Sequence, residues 1–183
     1  MLIKWITCKV SESQKQSFSL AQEKWRPLEG IEGFLGQIGG WNQDQQLEAC
    51  ILAFWEDIQH YQSFMEKDHD PIFHQTGQSQ TYETISVKLF SKIADTNERN
   101  ILDAFENGEI LRVVCAEEND GMSAYEAMLG GVVGQSQKNS MEYMTASLWT
   151  KDHSGKVNEN EQPQAYSVVL EQAWRVVKKG GTK

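Results

Sequence analysis

The sequence has no concentrated run of basic residues. Its 183 residues include 17 Lys and Arg against 26 Asp and Glu, a net charge of −9, and the basic residues are scattered apart from the pair Lys178-Lys179. Nucleic acids and anionic membrane surfaces are bound through clustered positive charge, so the composition disfavours both as partners. The sequence also lacks an apolar run of the roughly 18 residues that a membrane-spanning helix needs, and no membrane span is predicted.

Cysteine is scarce and poorly placed for a disulfide or metal framework. Three cysteines, Cys8, Cys50 and Cys115, lie far apart inside apolar segments, and none has the Cys-x-x-Cys spacing of zinc or thioredoxin-type sites. We expect buried free thiols in a reducing compartment. The first ten residues contain Lys4 and Lys9 and are followed directly by polar residues, unlike a secretory signal peptide. A cytoplasmic location is the resulting expectation.

Strand and helix patterns alternate over residues 1–89. Strands are predicted at 1–10, 32–41, 46–55 and 81–89, and helices after Ser11 as far as Pro27, after Asp57, and after Asp70-Pro71. Ser11 opens a capping-box pattern, and the pair Gly39-Gly40 predicts a bulge. Both faces of the first strand carry apolar residues, so that strand is expected to be covered on both sides. The order β-α-β-β-α-β is the ferredoxin-like arrangement of an α+β protein.

The second half of the chain is similar to a degenerate copy of the first. The segment EYMTASLWTKD at 142–152 is similar to EACILAFWEDI at 48–58. Strands are predicted at 110–117, 141–151 and 166–177, with a helix at 123–133 and no clear second helix. We therefore expect a ferredoxin-like half at 1–91, a linker at 92–108 with one helical turn near 101–105, and a degenerate half at 109–179. Two such sheets are expected to pack face to face.

The segment between residues 32 and 74 resembles a known family. Its landmarks in chain order are Glu32-Gly33-Phe34 at a strand start, Trp55-Glu56-Asp57 at a strand end, Tyr61 and Phe64 on a helix, Asp68, and His74. This pattern resembles the antibiotic-biosynthesis-monooxygenase superfamily of dimeric α/β barrels, which includes haem-degrading and quinol monooxygenases. Within it, the chain looks similar to an uncharacterised family of bacillus-type proteins.

The resemblance implies both an architecture and a candidate site. Such folds pair two ferredoxin-like units into a barrel, and the tandem halves imply a pseudo-dimeric α/β barrel within one chain. The haem-degrading members carry Asn on the first strand, Trp on the second helix and His after it. At those positions this sequence has Ile6 or Thr7, Phe64 and His74. The resemblance therefore implies a catalytic or ligating role for His74, with haem as one candidate cofactor.

Aromatic residues supply the other candidates for ligand binding. Trp5, Trp41, Trp55 and Phe64 could wall a pocket for a flat apolar ligand, although aromatic side chains also build ordinary cores. The run Asp68-His69-Asp70 has metal-ligating side chains, but adjacent residues at a helix end seldom converge on one ion. No metal site is predicted.

Two functions follow as hypotheses. The first is a protein that binds or oxidises a small apolar or aromatic ligand, quinol-like or haem, as a monooxygenase that is cofactor-independent or haem-dependent. The second is a non-catalytic stress or interaction protein on the same scaffold, because one fold hosts many functions. The chain is expected to act as a monomeric pseudo-dimer or as a homodimer.

Overall fold

Strand β1 (Leu2–Lys9) is buried on both faces, as its two-sided apolar pattern predicts. Ile3 and Trp5 point into one core, and Leu2 and Cys8 point into two others on the opposite face. Side chains alternate between the faces of a strand, so a strand with apolar residues at both parities needs a layer on each side. This strand therefore lies between the interior of a barrel and a layer of helices.

The computed structural model describes residues 1–96, 99–117, 128–153 and 165–178. The strands are β1 (Leu2–Lys9), β2 (Phe34–Asn42), β3 (Glu48–Trp55), β4 (Thr84–Asp95), β5 (Ile110–Ala116), β6 (Gly130–Ser136), β7 (Tyr143–Trp149), β8 (Ala165–Leu170) and β9 (Val176–Val177). The α-helices are α1 (Lys15–Gln22), α2 (Ile58–Lys67) and α3 (His69–Thr76), and 3₁₀ segments occupy Glu12–Gln14, Glu23–Gly30, Gln78–Gln80, Ile101–Ala104, Lys151–His153 and Gln172–Trp174.

Eight of these strands close into an antiparallel barrel. The order is β3-β1-β4-β6-β7-β5-β8-β2, and β2 pairs with β3 to complete the ring. The first half contributes β4-β1-β3-β2 and the second contributes β6-β7-β5-β8, so each half supplies a four-stranded sheet with its first and third strands in the centre. The predicted fold, two tandem ferredoxin-like halves forming a pseudo-dimeric α/β barrel, is confirmed. No helix within the described ranges is long and apolar enough to cross a membrane.

The barrel interior is filled by side chains from both halves. Trp5 and Phe54 of the first half share one core with Val113 and Leu148 of the second. Phe105, which follows the 3₁₀ segment Ile101–Ala104, is fully buried and packs edge-to-face on Phe54 with ring centroids 5.6 Å apart. The connection between the halves thus carries core residues, and the helical turn predicted near 101–105 is present.

Glycine permits the close approach of two strands where the halves meet. Gly40 of β2 pairs with Leu170 of β8, and a Cβ atom at position 40 would overlap the carbonyl of Val169. The predicted bulge at Gly39-Gly40 is wrong, because both glycines pair in regular register with β3. The register shift lies between Phe34 and Gly36 instead. Glycine at position 40 therefore allows the backbones of β2 and β8 to approach closely where the two halves meet. It does not accommodate a β-bulge.

Local differences from the predicted elements have physical causes. The chain after Ser11 forms a 3₁₀ turn before α1, and the Ser11 hydroxyl lies 3.1 Å from that of Ser13 without capping the backbone. Helix α1 ends at Gln22 and continues as a 3₁₀ segment through Pro27, whose missing N–H disfavours an α-helix there. Strand β4 continues to Asp95, past the predicted end at 89, because its distal part pairs with β6.

The second half departs further from expectation. Residues 130–133 of the predicted helix belong to β6, where they pair with β7, and residues 118–127 lie outside the described ranges. Strands β5 and β7 confirm the predicted strands at 110–117 and 141–151. The predicted strand 166–177 is divided into β8 and β9 by the turn Gln172–Trp174, because Trp174 leaves the sheet and buries its ring against Phe18 and Trp41.

The C-terminal segment returns to the first half after β8. Strand β9 pairs with β2 through Gly36 with Val177 and Gln37 with Val176. Val176 also joins an aromatic core that contains Trp55. The last described residues of the second half therefore complete a core that belongs to the first half.

Candidate functional site

A pocket of about 400 Å³ lies between the outer face of the first-half sheet and its helices. Strands β1, β2 and β3 form its floor, and α2, α3 and the 3₁₀ segment Glu23–Gly30 form its walls. Ile85 and Val87 of β4 line the pocket and are about half exposed (49% and 46%), so the mouth lies beside β4. The volume is within the range of about 300–1,000 Å³ that accommodates small ligands.

Seven aromatic side chains line the wall of the pocket. They are Trp25, Phe34, Trp55, Tyr61, Phe64, Phe73 and Tyr82. Trp55 is the hub of this wall, with ring centroids 4.9 Å from Phe64, 5.2 Å from Phe34 and 5.7 Å from Tyr61. Edge-to-face and tilted contacts of this kind hold rings in fixed orientations. The pocket therefore offers flat, rigid apolar surfaces.

Helix α2 is positioned by its N-cap. The Asp57 carboxylate accepts a hydrogen bond of 2.9 Å from the His60 backbone N–H, the contact typical of an N-cap. This backbone hydrogen bond is the main reason that the pKa of Asp57 is lowered. Residues three and four positions apart share one helix face, so Tyr61 and Phe64 both point toward the sheet. The cap thereby orients two aromatic residues of the pocket wall.

The floor contains one row of residues with two polar side chains. The register pairs Lys4 of β1 with Ala53 of β3, and Ala53 with Gln37 of β2. Directly paired residues project on the same face of a sheet, and adjacent strands are about 4.8 Å apart. Lys4 and Gln37 therefore flank the small Ala53 side chain, and all three line the pocket.

Lys4 is a partly buried cation with no anionic neighbour. Its ammonium lies 5.0 Å from the centre of the Tyr61 ring, and it has no ion pair or hydrogen bond among the described residues. Burial lowers the pKa of Lys4 from 10.5 to about 8, because a desolvated ammonium is less stable than the neutral amine. A lysine with this displacement inside a cleft is a typical functional-site candidate.

Two side chains that line the pocket carry donors without acceptors within the described part of the chain. They are Nε2 of Gln37 and Nε1 of Trp55, in side chains that are only 5% and 2% exposed. A buried donor without an acceptor costs free energy. Nearby polar groups are satisfied: Trp25 donates to the Gln78 oxygen at 2.6 Å, and the Gln78 amide donates to Gln22 at 2.7 Å. The hydrogen bonds around Gln78 are therefore satisfied, whereas Gln37 and Trp55 each keep one unused donor.

His69 is the histidine that lines the pocket. Its ring stacks on Phe73 with centroids 5.6 Å apart and an angle of 15°, and it meets the Phe64 edge at 5.7 Å. Nδ1 of His69 lies 2.8 Å from the Asp70 carboxylate. Because this carboxylate engages one ring nitrogen, it fixes the orientation of the imidazole.

The structure separates the predicted site residues into two groups. Trp55 and Phe64 line the pocket. Trp5 lies inside the barrel, and Trp41 packs against Trp174 on another side of the first half. His74 is exposed near the end of α3 and is not among the side chains that line the pocket. A catalytic role for His74 therefore stays a prediction, and the two tryptophans have core contacts.

The pocket residues do not fit haem through the predicted ligand. An axial histidine must face the iron from the pocket wall, whereas His74 lies outside the lining. The neighbouring run Asp68-His69-Asp70 does not supply a metal site either: within the described ranges, no group of three or more His, Cys, Asp or Glu side chains is arranged to hold an ion. The predicted histidine therefore supplies no axial ligand for haem in this pocket.

Cys8 lines the pocket but is not an activated nucleophile. Burial is the main cause that raises the pKa of its thiol to about 12, and Glu48 adds to the effect. Nucleophilic cysteines have lowered pKa values because the thiolate is the reactive form. Cys8 therefore stays protonated, and all three cysteines are free and buried.

Sequence reasoning missed the two polar residues of the floor. Lys4 belongs to a strand that the sequence predicts to be buried on both faces. A lysine in such a strand is unusual, and this could have indicated a functional residue. Gln37 carried no comparable signal, because its neighbours are glycines and apolar residues. Its proximity to Lys4 depends on the register of three strands.

Comparison with known sequences gives matches over the first half. The family described as "Domain of unknown function (DUF4937)" matches residues 2–90. The "Uncharacterized protein YdbC" of Bacillus subtilis (strain 168) is 36% identical over 94 residues, which is 50% of this chain and 79% of that protein.

Solved structures match over the whole chain. A "putative monooxygenase" of Lactobacillus acidophilus NCFM has a TM-score of 0.68 at 11% identity and covers 97% of this chain and 96% of its own. A second "putative monooxygenase", from Fusobacterium nucleatum, has a TM-score of 0.66 at 12% identity and covers 98% and 95%. Identities this low establish the monooxygenase-like α/β-barrel fold and nothing more.

Proposed function

From a chain that belongs to the DUF4937 family and has a monooxygenase-like α/β-barrel fold, we propose a protein that binds a small planar aromatic molecule in the first-half pocket and exposes it to molecular oxygen. In this proposal the two halves, 1–91 and 109–179, act as one monomeric pseudo-dimer joined by 92–108. The pocket of the first half carries the function, and the second half completes the barrel that supports its floor.

The enclosed aromatic wall is the observation that carries the proposal. Trp55, Tyr61 and Phe64 present ring faces and edges to a cavity of about 400 Å³. A flat ring that enters this space exchanges water for aromatic contacts, and each well-oriented aromatic pair adds about 0.5–1.5 kcal/mol beyond the buried area. The exposed Ile85 and Val87 at the mouth provide an apolar entrance.

Oxidation of an electron-rich ligand is the chemistry that the pocket residues support. A quinol-type ring transfers two electrons and two protons to O₂, which gives the quinone and hydrogen peroxide. Loss of the first phenolic proton makes the ring a better reductant, and Lys4 is placed to accept that proton. General bases work best when their pKa lies near the working pH, and the pKa of Lys4 is about 8.

The test fills the pocket without changing its charge. We expect planar phenols such as 1,4-dihydroxynaphthalene to quench tryptophan fluorescence saturably, because Trp25 and Trp55 line the site. Ala53→Leu should weaken this binding by about tenfold or more and lower ligand-dependent O₂ consumption. Ala165→Leu, on an exposed position of β8, is the matched control and should leave both unchanged. Quenching that persists in Ala53→Leu would contradict the proposed site.

An interaction role is the alternative, and one surface favours it. Ile85, Val87 and Ile93 of β4 are 46–49% exposed, which is unusual for three apolar side chains of one strand. If no planar ligand binds and Ala53→Leu has no effect, this strip becomes the candidate contact surface. Ile85→Ser combined with Val87→Ser would then test it through loss of partner binding.

A further inference from the structure

We infer that the ligand of the first-half pocket is an aromatic monoanion, a ring with a carboxylate or phenolate oxygen, and that this oxygen lies between Lys4 and Gln37 above Ala53. The inference rests on the proposed function and specifies the class of its ligand.

Side chains that line the pocket carry donors without acceptors within the described part of the chain. Nε2 of Gln37 and Nε1 of Trp55 are buried donors without an acceptor among the described residues, and both side chains line the pocket. Lys4 lines the same pocket, and its ammonium is placed over the Tyr61 ring without a hydrogen bond or ion pair among the described residues. Buried donors are normally satisfied, so a set of unused donors indicates an acceptor that the protein itself does not supply. A ligand oxygen with several lone pairs meets this requirement.

The charge balance of the pocket favours an anion. Among the described residues, no Asp or Glu lines it and Lys4 is the only Lys or Arg that does. The chain as a whole has a net charge of −9, so a positive pocket is a local exception. Burying an ammonium without a counter-ion is unfavourable, and a bound anion removes that penalty because it pairs with the charge.

The other titratable side chains around Lys4 do not supply this counter-charge. They are Cys8, Tyr61, His69 and Tyr82. Burial raises the pKa of Cys8, Tyr61 and Tyr82, so these groups stay neutral near pH 7. The imidazole of His69 supplies no negative charge, and its Asp70 partner is directed to Nδ1 of the ring.

The geometry of the floor sets how the anion is held. Lys4 and Gln37 stand on either side of Ala53 in one row, about 10 Å apart at the backbone because two strand spacings separate them. Both side chains are long enough to lean over the short Ala53 methyl. The ring attached to the anionic oxygen then lies toward Trp55 and Tyr61, which form the adjacent wall.

The experiment compares an anionic probe with its neutral isostere. At pH 7, binding of 2-naphthoate and 2-naphthamide is measured by tryptophan quenching on wild type, Lys4→Met, Gln37→Glu and the control Lys9→Met, in which an exposed lysine of the same strand is removed. The second arm is a titration with 4-nitrophenol. If the pocket stabilises its phenolate, the bound phenol ionises at a lower pH than the free phenol, and this is seen as the yellow phenolate absorbance. The two arms distinguish a carboxylate from a phenolate ligand.

We expect wild type and Lys9→Met to bind 2-naphthoate about tenfold or more tightly than 2-naphthamide. Lys4→Met should abolish this preference and leave the affinity for the amide within about twofold, and Gln37→Glu should weaken only the naphthoate. If Lys4→Met does not fold, raising the wild-type solution above about pH 10 must remove the preference, because Lys4 is then neutral while naphthoate stays ionised.

Equal affinities for the two probes in wild type, or a preference that survives in Lys4→Met, would overturn the inference. If both probes bind equally and Ala53→Leu excludes both, the proposed function stands and only the anionic ligand class is refuted. If neither probe nor any planar phenol binds wild type, the proposed function fails together with this inference.

Discussion

Replacing Lys4 by methionine should stabilise the protein at neutral pH. Methionine keeps the length of the side chain and packs well among aromatic rings, but it carries no charge to desolvate. The pKa of Lys4 falls from 10.5 to about 8 in the folded chain, and each pKa unit corresponds to about 1.4 kcal/mol. The charged form therefore costs the folded state at most roughly 3 kcal/mol.

Two effects reduce the expected gain. The ammonium lies over the Tyr61 ring, and a cation–π contact at a partly desolvated site contributes about 0.5–2 kcal/mol that methionine does not replace in full. Lys4 is also only partly buried, so solvent screens part of the penalty. We therefore expect Lys4→Met to raise the free energy of unfolding by about 1–2 kcal/mol at pH 7.

The pH dependence of this gain identifies its cause. Between about pH 8 and 10.5 the unfolded lysine holds its proton while the folded one releases it, so wild-type stability rises with pH across this window. Lys4→Met lacks this rise, and its advantage should shrink toward pH 10. The raised pKa of Cys8 acts in the opposite direction, since its contribution is lost as pH rises, but it is common to both proteins and cancels in the difference.

The assay is urea denaturation followed by tryptophan fluorescence, on wild type, Lys4→Met and Lys9→Met, near pH 6.5 and pH 9.5. Lys9 is exposed on the same strand, so its variant reports the effect of removing a lysine without relieving burial. A Lys4→Met protein that is less stable than wild type at pH 6.5, or an advantage that is the same at both pH values, would refute the reasoning.

Three further predictions concern the barrel, the helix cap and haem. Gly40→Ala should lower the free energy of unfolding by about 3 kcal/mol, because the new methyl overlaps the Val169 carbonyl, whereas Gly30→Ala meets nothing within 4 Å and should be close to neutral in the same urea titration. Asp57→Ala should lower the urea midpoint at pH 7 more than Asp57→Asn, which retains a capping oxygen. Because the pKa of Asp57 is lowered, the loss of each variant relative to wild type should shrink as the pH falls through that pKa, whereas the gap between the two variants, neither of which titrates at this position, should stay constant. Hemin titration should show no saturable Soret change that depends on His74. A Soret shift that is present in wild type and lost in His74→Ala would show that His74 is a haem ligand after all.

Local patterns were sufficient for most of the first half. The two-sided apolar strand β1, the hairpin of β2 and β3, and the helix capped by Asp57 each follow from residues that are near in sequence. Strand β6 did not follow, because GGVVGQS resembles the end of a helical segment and becomes a strand only through its pairing with β4 and β7. The end of β4 was missed for the same reason.

The candidate site was only partly predictable. Trp5, Trp41, Trp55 and Phe64 were all expected to wall a site for a flat ligand, and the structure brings only Trp55 and Phe64 to the pocket. Lys4 and Gln37 meet only through the register of three strands, which sequence spacing does not encode. The choice between His69 and His74 depended on the rotation of α3, because residues five apart on a helix project about 140° apart at 3.6 residues per turn.

The C-terminal segment packs Trp174 and Val176 against the first half, and this changes how the molecule responds to dilution. A barrel assembled from two separate chains obeys mass action, and its melting temperature falls as the protein is diluted. Here the sheet of the second half and the C-terminal segment are covalently joined to the first half that they cover. Their effective concentration is therefore not altered by dilution. Because both halves belong to one chain, the pocket should stay formed at low protein concentrations at which two separate halves would dissociate.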